Sequence, residues 1–225
     1  MRKLVVFLVL LAVALAVLDR VAVSGVEREI ARQVEARYDL DETPTVKVHG
    51  TPFLTQAIAG RYEEIAISIG PFRRDSVRVA RIDARLRGVN AELNDLLASD
   101  AKITVDEVVG TVVVAKQTID ERAPEGLKVE GTGKDTLRVT GELPVRNVPV
   151  QVSATMRLEV VPGGIRVRPT QVDVGGGLAL PNAERLMSFT VPVRRLPLGL
   201  KITKVTSTAE GLAIEARATD VALKG

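Results

Sequence analysis

Imidazoles, thiols and paired carboxylates are the usual means by which a chain does chemistry, and this one has few of them. Its 225 residues contain one histidine, His49, and no cysteine. A single imidazole excludes histidine-rich metal sites. The lack of thiols removes thiolate metal centres, disulfides and lipoprotein-type acylation. A Ser-His-Asp triad needs only one histidine, but no Gly-x-Ser-x-Gly elbow occurs. No Gly-x-Gly-x-x-Gly turn or phosphate-loop lysine motif is present either. His49 closes the alternating stretch Val46-Lys47-Val48 just before Gly50, the place of a surface residue at a strand end. Glu63-Glu64 and Asp106-Glu107 are adjacent in sequence, so on a strand their side chains point to opposite faces. They read as solvated charges rather than an acid/base dyad. The expectation is a protein with no catalytic residues, no metal and no cofactor.

Charge narrows the partners. Net charge is +3, and Arg2 and Lys3 supply two of those charges. The remainder is scattered among acids rather than massed in a stripe, so no nucleic-acid footprint is present. Arginine outnumbers lysine 22 to 9, and alanine and valine are abundant, a composition that hints at a GC-rich, actinobacterial source.

The elements that position these residues begin with an apolar block. After Met1-Arg2-Lys3 come fifteen uninterrupted apolar residues, Leu4 to Leu18, then Asp19-Arg20. Two cations ahead of such a block mark an export signal or an N-terminal membrane anchor. As a helix the block is about 22 Å long, short of a hydrocarbon core of about 30 Å unless Val21, Ala22 and Val23 join it. Arg2 and Lys3 stay cytoplasmic, so residues 25–225 face outward. Residues 1–24 therefore read as signal peptide or anchor, and 25–225 as a single domain at the outer face of the plasma membrane. Ala14-Leu15-Ala16 fits a cleavage pattern but lies inside the apolar run, which leaves cleavage and retention both open.

From Asp19 to Tyr38 the pattern is helical, with Ala22, Val26, Ile30 and Val34 recurring every fourth residue. Beyond Pro44 it becomes β. Tyr62–Ile69, Arg78–Leu86 and Ile103–Val114 read as strands, with a helical turn near Thr118–Arg122. Val150, Val152, Ala154, Met156, Leu158 and Val160 alternate without a fault. Hairpins are predicted across Gly131–Asp135, Pro162–Gly164 and Glu210-Gly211. The predicted fold is α+β: nine or ten antiparallel strands forming a highly curved sheet wrapped around the long N-terminal helix.

Alanine recurs on the inward face, at Ala80, Ala84, Ala154, Ala216 and Ala218, and aromatics are only 3% of the chain. Either the small residues let a helix approach the sheet closely, or they line an aliphatic groove suited to acyl chains.

The densest local signature is Val48-His49-Gly50-Thr51-Pro52-Phe53-Leu54-Thr55-Gln56-Ala57-Ile58-Ala59-Gly60-Arg61-Tyr62. With Asp106-Glu107-Val108-Val109-Gly110-Thr111 and Leu196-Pro197-Leu198-Gly199-Leu200, in this order, the chain resembles the LmeA-like phospholipid-binding family of actinobacterial envelope proteins. The resemblance implies an exported, membrane-associated protein that binds phospholipid, phosphoinositide-type lipids included, and a link to lipomannan elongation. It also implies a fold similar to the tubular lipid-binding domains of bactericidal/permeability-increasing proteins.

Expected lipid contacts are Pro52, Phe53, Leu54, Tyr62, Ala154, Met156, Ala216, Leu198 and Leu200, with Arg194 and Arg195 at the headgroups or membrane surface. A structural role stands beside each: Gly50 and Gly60 as turn residues, Phe53 as a core plug, the arginine-leucine loop as a buried turn. The functional expectation is phospholipid binding or transfer in the cell envelope. The first rival is a scaffold that docks a polymer-synthesising enzyme without holding lipid, and the second is an envelope hydrolase or transferase with an unrecognised site.

Overall fold

The computed structural model describes residues 2–74, 77–92, 102–122, 126–145, 148–175, 188–192 and 196–224. The apolar block and the amphipathic stretch form one unbroken helix, α1 (Arg2–Tyr38), about 55 Å long at 1.5 Å per residue. Residues 2–18 are exposed along its whole circumference. From there on one stripe turns inward, with Asp19, Val23, Val26 and Ala31 buried and Ile30 and Val34 half-buried. The helix stops where Asp39 takes a left-handed conformation (φ 50°) and Leu40 N–H returns to Glu35 O at 3.1 Å.

Twelve strands follow among the described residues: β1 (Thr45–His49), β2 (Arg61–Ile69), β3 (Phe72–Arg74), β4 (Val77–Asn90), β5 (Lys102–Ala115), β6 (Leu127–Gly131), β7 (Thr136–Val145), β8 (Val148–Val161), β9 (Gly164–Val174), β10 (Phe189–Pro192), β11 (Lys201–Ser207) and β12 (Gly211–Lys224). Two short helices interrupt them, α2 (Phe53–Ala59) and α3 (Lys116–Arg122). One sheet runs β1-β2-β4-β5-β12-β11 with β3 against β4, and a second runs β10-β9-β8-β7-β6. The described registers are all antiparallel, as the alternation requires. The fold is α+β. The very short β3 and β10 carry too few residues to show a period and were not expected from the pattern.

The chain divides into two compact units, one of Met1–Gly70, Asp83–Val109 and Ala218–Gly225, the other of Pro71–Ile82 and Gly110–Arg217. In the first, α1 packs on β1 and α2. Val46 and Val48 of β1 are buried and sit opposite Ile67 and Ile65 of β2. Burial on β2 and β5 repeats after three residues instead of two, at Tyr62/Ile65 and Val105/Val108, a local break in alternation of the kind a bulge makes.

The second unit has its own core: Val129, Leu137, Ala154, Met156, Leu158, Ile165, Val167 and Val205 form one cluster. The alternation of β8 survives intact except that Val160, at its end, is exposed. Pro169 lies on β9 beyond Gly164–Val167, the stretch that pairs with β10. The register with β8 slips there, with Met156 opposite Pro169 and Thr155 opposite Gln171. A proline without an N–H is accommodated by that irregularity. Ser207, fully buried, ties β11 to the β6–β7 hairpin by accepting from Thr132 N–H at 3.1 Å and donating to Thr136 O at 2.6 Å.

Candidate functional site

The glycine-proline-aromatic segment lies where α1 meets β1 and α2. Gly50 has φ 98°, and a Cβ there would come within 2.6 Å of Gln56 Nε2 and 2.8 Å of Glu63 Oε2, so only glycine fits. Gly60 ends α2 in the left-handed conformation. Between them Gln56 is buried, its Nε2 donating to His49 O at 3.3 Å and its Oε1 accepting from Glu63 N–H at 2.8 Å. This one amide joins the end of β1 to the start of β2. Phe53 and Tyr62, 2% and 0% exposed, stack at 6.1 Å between ring centres and plug the space beneath α2. Tyr62 Oη has no hydrogen-bond partner among the described residues, and burial raises its pKa.

Two carboxylates of α1 reach across to this assembly. Asp19 is 6% exposed and accepts the backbone N–H of Leu54 at 2.8 Å. That N–H belongs to the first turn of α2, where Pro52 supplies no side-chain cap, so Asp19 caps α2 from another helix. Glu27 Oε1 accepts Val48 N–H at 3.0 Å while its Oε2 pairs with Lys47 at 3.1 Å. β1 is the outer strand of its sheet, and Glu27 satisfies a donor that pairing leaves open.

Between α1 and the segment entering β1 opens a cleft of about 650 Å³, bordered by Arg28, Ala31 and Arg32 on one side and Pro44, Val46 and Lys47 on the other. Val46 is its aliphatic floor. Arg32 pairs with Glu29 and Lys47 with Glu27. Arg28 donates through Nε to Ser24 O at 3.0 Å, which leaves its Nη atoms without a protein partner among the described residues. The cleft thus offers a guanidinium with open Nη donors beside an apolar floor, the two chemistries that a phosphate ester with a hydrocarbon tail requires.

The opposite face of this sheet is a charge lattice. Arg87 bridges Glu64 at 2.9 Å and Glu107 at 3.2 Å, and Arg61 pairs with Asp106 at 2.8 Å. His49 stands 4.0 Å from Glu64 and is largely exposed. The Arg87 hydrogen bond holds the Glu64 carboxyl below its ordinary pKa. Among the described residues no cluster of three or more His, Asp or Glu is placed to hold a metal ion.

Compared with protein families, residues 17–217 match LmeA-like phospholipid-binding. The chain belongs to the LmeA-like phospholipid-binding family. No curated protein and no solved structure matches it. The LmeA-like span starts two residues before Asp19, so the trans cap, the glycine-proline-aromatic segment and the cleft all fall inside it. Most of the exposed apolar run precedes it, and that helix has the length and composition of a signal peptide or membrane anchor.

The other expected contacts are dispersed. Pro52 is exposed and Leu54 half-buried, both beside the Asp19 cap. Ala154 and Met156 lie buried in the cluster of the second unit, and Ala216 is buried opposite Ile202. Leu198 is exposed with a left-handed φ of 59°, and Leu200 is half-buried. Arg194 and Arg195 lie outside the described residues. Sequence reasoning missed Asp19, Glu27, Gln56 and Arg28. For Asp19 a signal existed: it stands four and seven residues before Val23 and Val26, on the stripe that turns inward.

Proposed function

We propose that this chain is a non-enzymatic, membrane-associated phospholipid-binding protein that holds or passes on lipid at the outer face of the plasma membrane. The observation that carries this reading is the family match over residues 17–217. The proposal places the headgroup in the cleft, its phosphate on Arg28, with Arg32 and Lys47 adding positive charge. Anionic headgroups, phosphoinositide-type included, suit that set. The tails run over Val46 onto the half-buried aliphatic side chains of Ile67, Ala84 and Leu86. Ser68 Oγ donates to Asp83 Oδ1 at 2.7 Å, so Ile67 and Ala84, their sequence neighbours, share the other face of the sheet.

The broader expectation keeps a curved sheet about α1, as in tubular lipid-binding domains, and a role in lipoglycan (lipomannan) elongation. The interior around Ala154, Met156 and Ala216 and the leucines Leu198 and Leu200 remain in this reading as second contacts for tails. The scaffolding alternative draws on a specific observation, the filled cluster around Ala154 and Met156, which is the interior a docking protein would have.

Native mass spectrometry of the full chain extracted from membranes tests the reading. A retained phospholipid is expected, lost on Arg28→Glu and kept on Arg37→Glu, a charge change on the same helix outside the cleft lining. A wild-type chain that never carries lipid leaves the scaffold in its place.

A further inference from the structure

The eleven residues from Gly50 to Gly60 carry no charge, and α2 within them is tied to the carboxylate that ends the apolar run of α1. The Leu54–Asp19 hydrogen bond fixes the amino end of α2 at the height of residue 19 along α1. Leu4–Leu18 supplies about 22 Å of apolar helix against a hydrocarbon core of about 30 Å. Closing that gap takes roughly five more residues, through Val23, and Val21 is 62% exposed, ready to meet acyl chains. Val23 then marks the outer boundary of the hydrocarbon, and residue 19 with the amino end of α2 lies about 6 Å beneath it. Its Ile58 is 88% exposed, more than any other large apolar side chain among the described residues, and Thr51, Pro52, Thr55 and Ala59 are exposed near it in the sequence.

We propose that α2 is a membrane foot, lying in the headgroup–acyl boundary of the outer leaflet with Ile58 inserted among acyl chains. The occupant of this apolar surface is the bilayer itself, because α1 requires lipid around Leu4–Leu18 and α2 is bonded to the end of that run. The charged neighbours fit the same placement. Asp19 is buried and hydrogen-bonded, which offsets part of the cost of bringing a carboxylate to this depth. Arg20 is exposed, and its long stem lets the guanidinium reach the phosphate layer. The proposal rests on the membrane-associated reading above and adds a second contact to it, a short interfacial helix beside a spanning one.

The test uses the full chain reconstituted into phosphatidylcholine–phosphatidylglycerol vesicles, with Ile58→Cys carrying an environment-sensitive fluorophore. Ile58 is almost fully exposed, so neither this change nor Ile58→Asp should alter melting in detergent. Flotation with the vesicles reports on membrane association. The label reports on the foot: a blue-shifted emission, quenched several-fold more by brominated lipid than by aqueous iodide, is expected. A chain that floats while its label stays open to iodide and insensitive to brominated lipid overturns the foot and spares the membrane reading. A chain that does not float overturns both.

Discussion

Asp19 and Leu54 are 35 residues apart in sequence and 2.8 Å apart in space, carboxylate oxygen to backbone nitrogen. Through this bond the last turn before the folded part of α1 becomes the cap of α2. Asp19→Ala should cost about 0.5–2 kcal/mol, the usual range for a lost cap. Asp19→Asn keeps an acceptor oxygen and should recover most of that. Urea unfolding of the two variants in detergent checks the order. Equal midpoints for Ala and Asn would mean that the bond contributes nothing.

Tyr62 supplies a second expectation. Its ring is wholly buried and its hydroxyl has no partner among the described residues, so Tyr62→Phe should stay within about 1 kcal/mol of wild type at neutral pH. Burial raises the pKa of the phenol in the folded chain. That contribution is fully present below the unfolded value of about 10 and is lost as pH rises toward the folded one. The Phe variant should therefore lose less stability than wild type in strong alkali. The chain has two tyrosines, so absorbance titration in a Tyr38→Phe background isolates Tyr62.

Acid works on the other face of the sheet. Arg87 holds the Glu64 carboxyl below its ordinary pKa, chiefly by their hydrogen bond. The stabilisation is complete above the unfolded carboxylate value of about 4.3 and is lost as pH falls through the lowered folded one. Arg87 is half exposed, so solvent screens the pair and its contribution is small. Arg87→Gln should lower the urea midpoint slightly near pH ~7 and leave it unchanged near pH ~2. A deficit of the same size at both would assign the loss to packing.

Ala154 separates a packed interior from a tail-binding one. It lies between Val139 and Val172 on neighbouring strands, in the cluster that includes Met156. For a packed interior, Ala154→Phe should overpack that cluster and cost about 1–3 kcal/mol while lipid stoichiometry holds. The opposite pair of results, an unchanged melting temperature with lipid lost, would place acyl chains at Ala154. Melting curves and native mass spectra of the same preparation decide.

Much of the architecture could be read from period alone. The alternation from Val150 to Leu158 and the hairpin turns at Gly131–Asp135 and Glu210-Gly211 appear where the pattern places them, because one face of each strand is buried and a slip would expose it. The helical stripe was legible only in part. Its buried line runs through Asp19, Val23, Val26 and Ala31, with Ile30 and Val34 half-buried at its flank. A charged residue on that line is invisible to a hydrophobic period, and so are Glu27 at the sheet edge and Gln56 between two strands. Each owes its position to a backbone donor or acceptor supplied by a distant segment, which no local spacing encodes. Arg28 escapes notice for the same reason: it becomes distinctive only once Arg32 and Lys47 have found carboxylate partners and its own Nη atoms have not.

The continuity of α1 has a mechanical consequence. A flexible linker would isolate the folded part from whatever surrounds Leu4–Leu18, but a helix without a joint transmits angle. Apolar helices answer a change in bilayer thickness by tilting or by drawing flanking residues in. With α1 intact, a thinner or thicker membrane would swing or sink the unit built on Val23, Val26 and Ala31 like the needle of a gauge. For a chain that keeps this helix as its anchor, membrane thickness would thus set the pose of the folded unit.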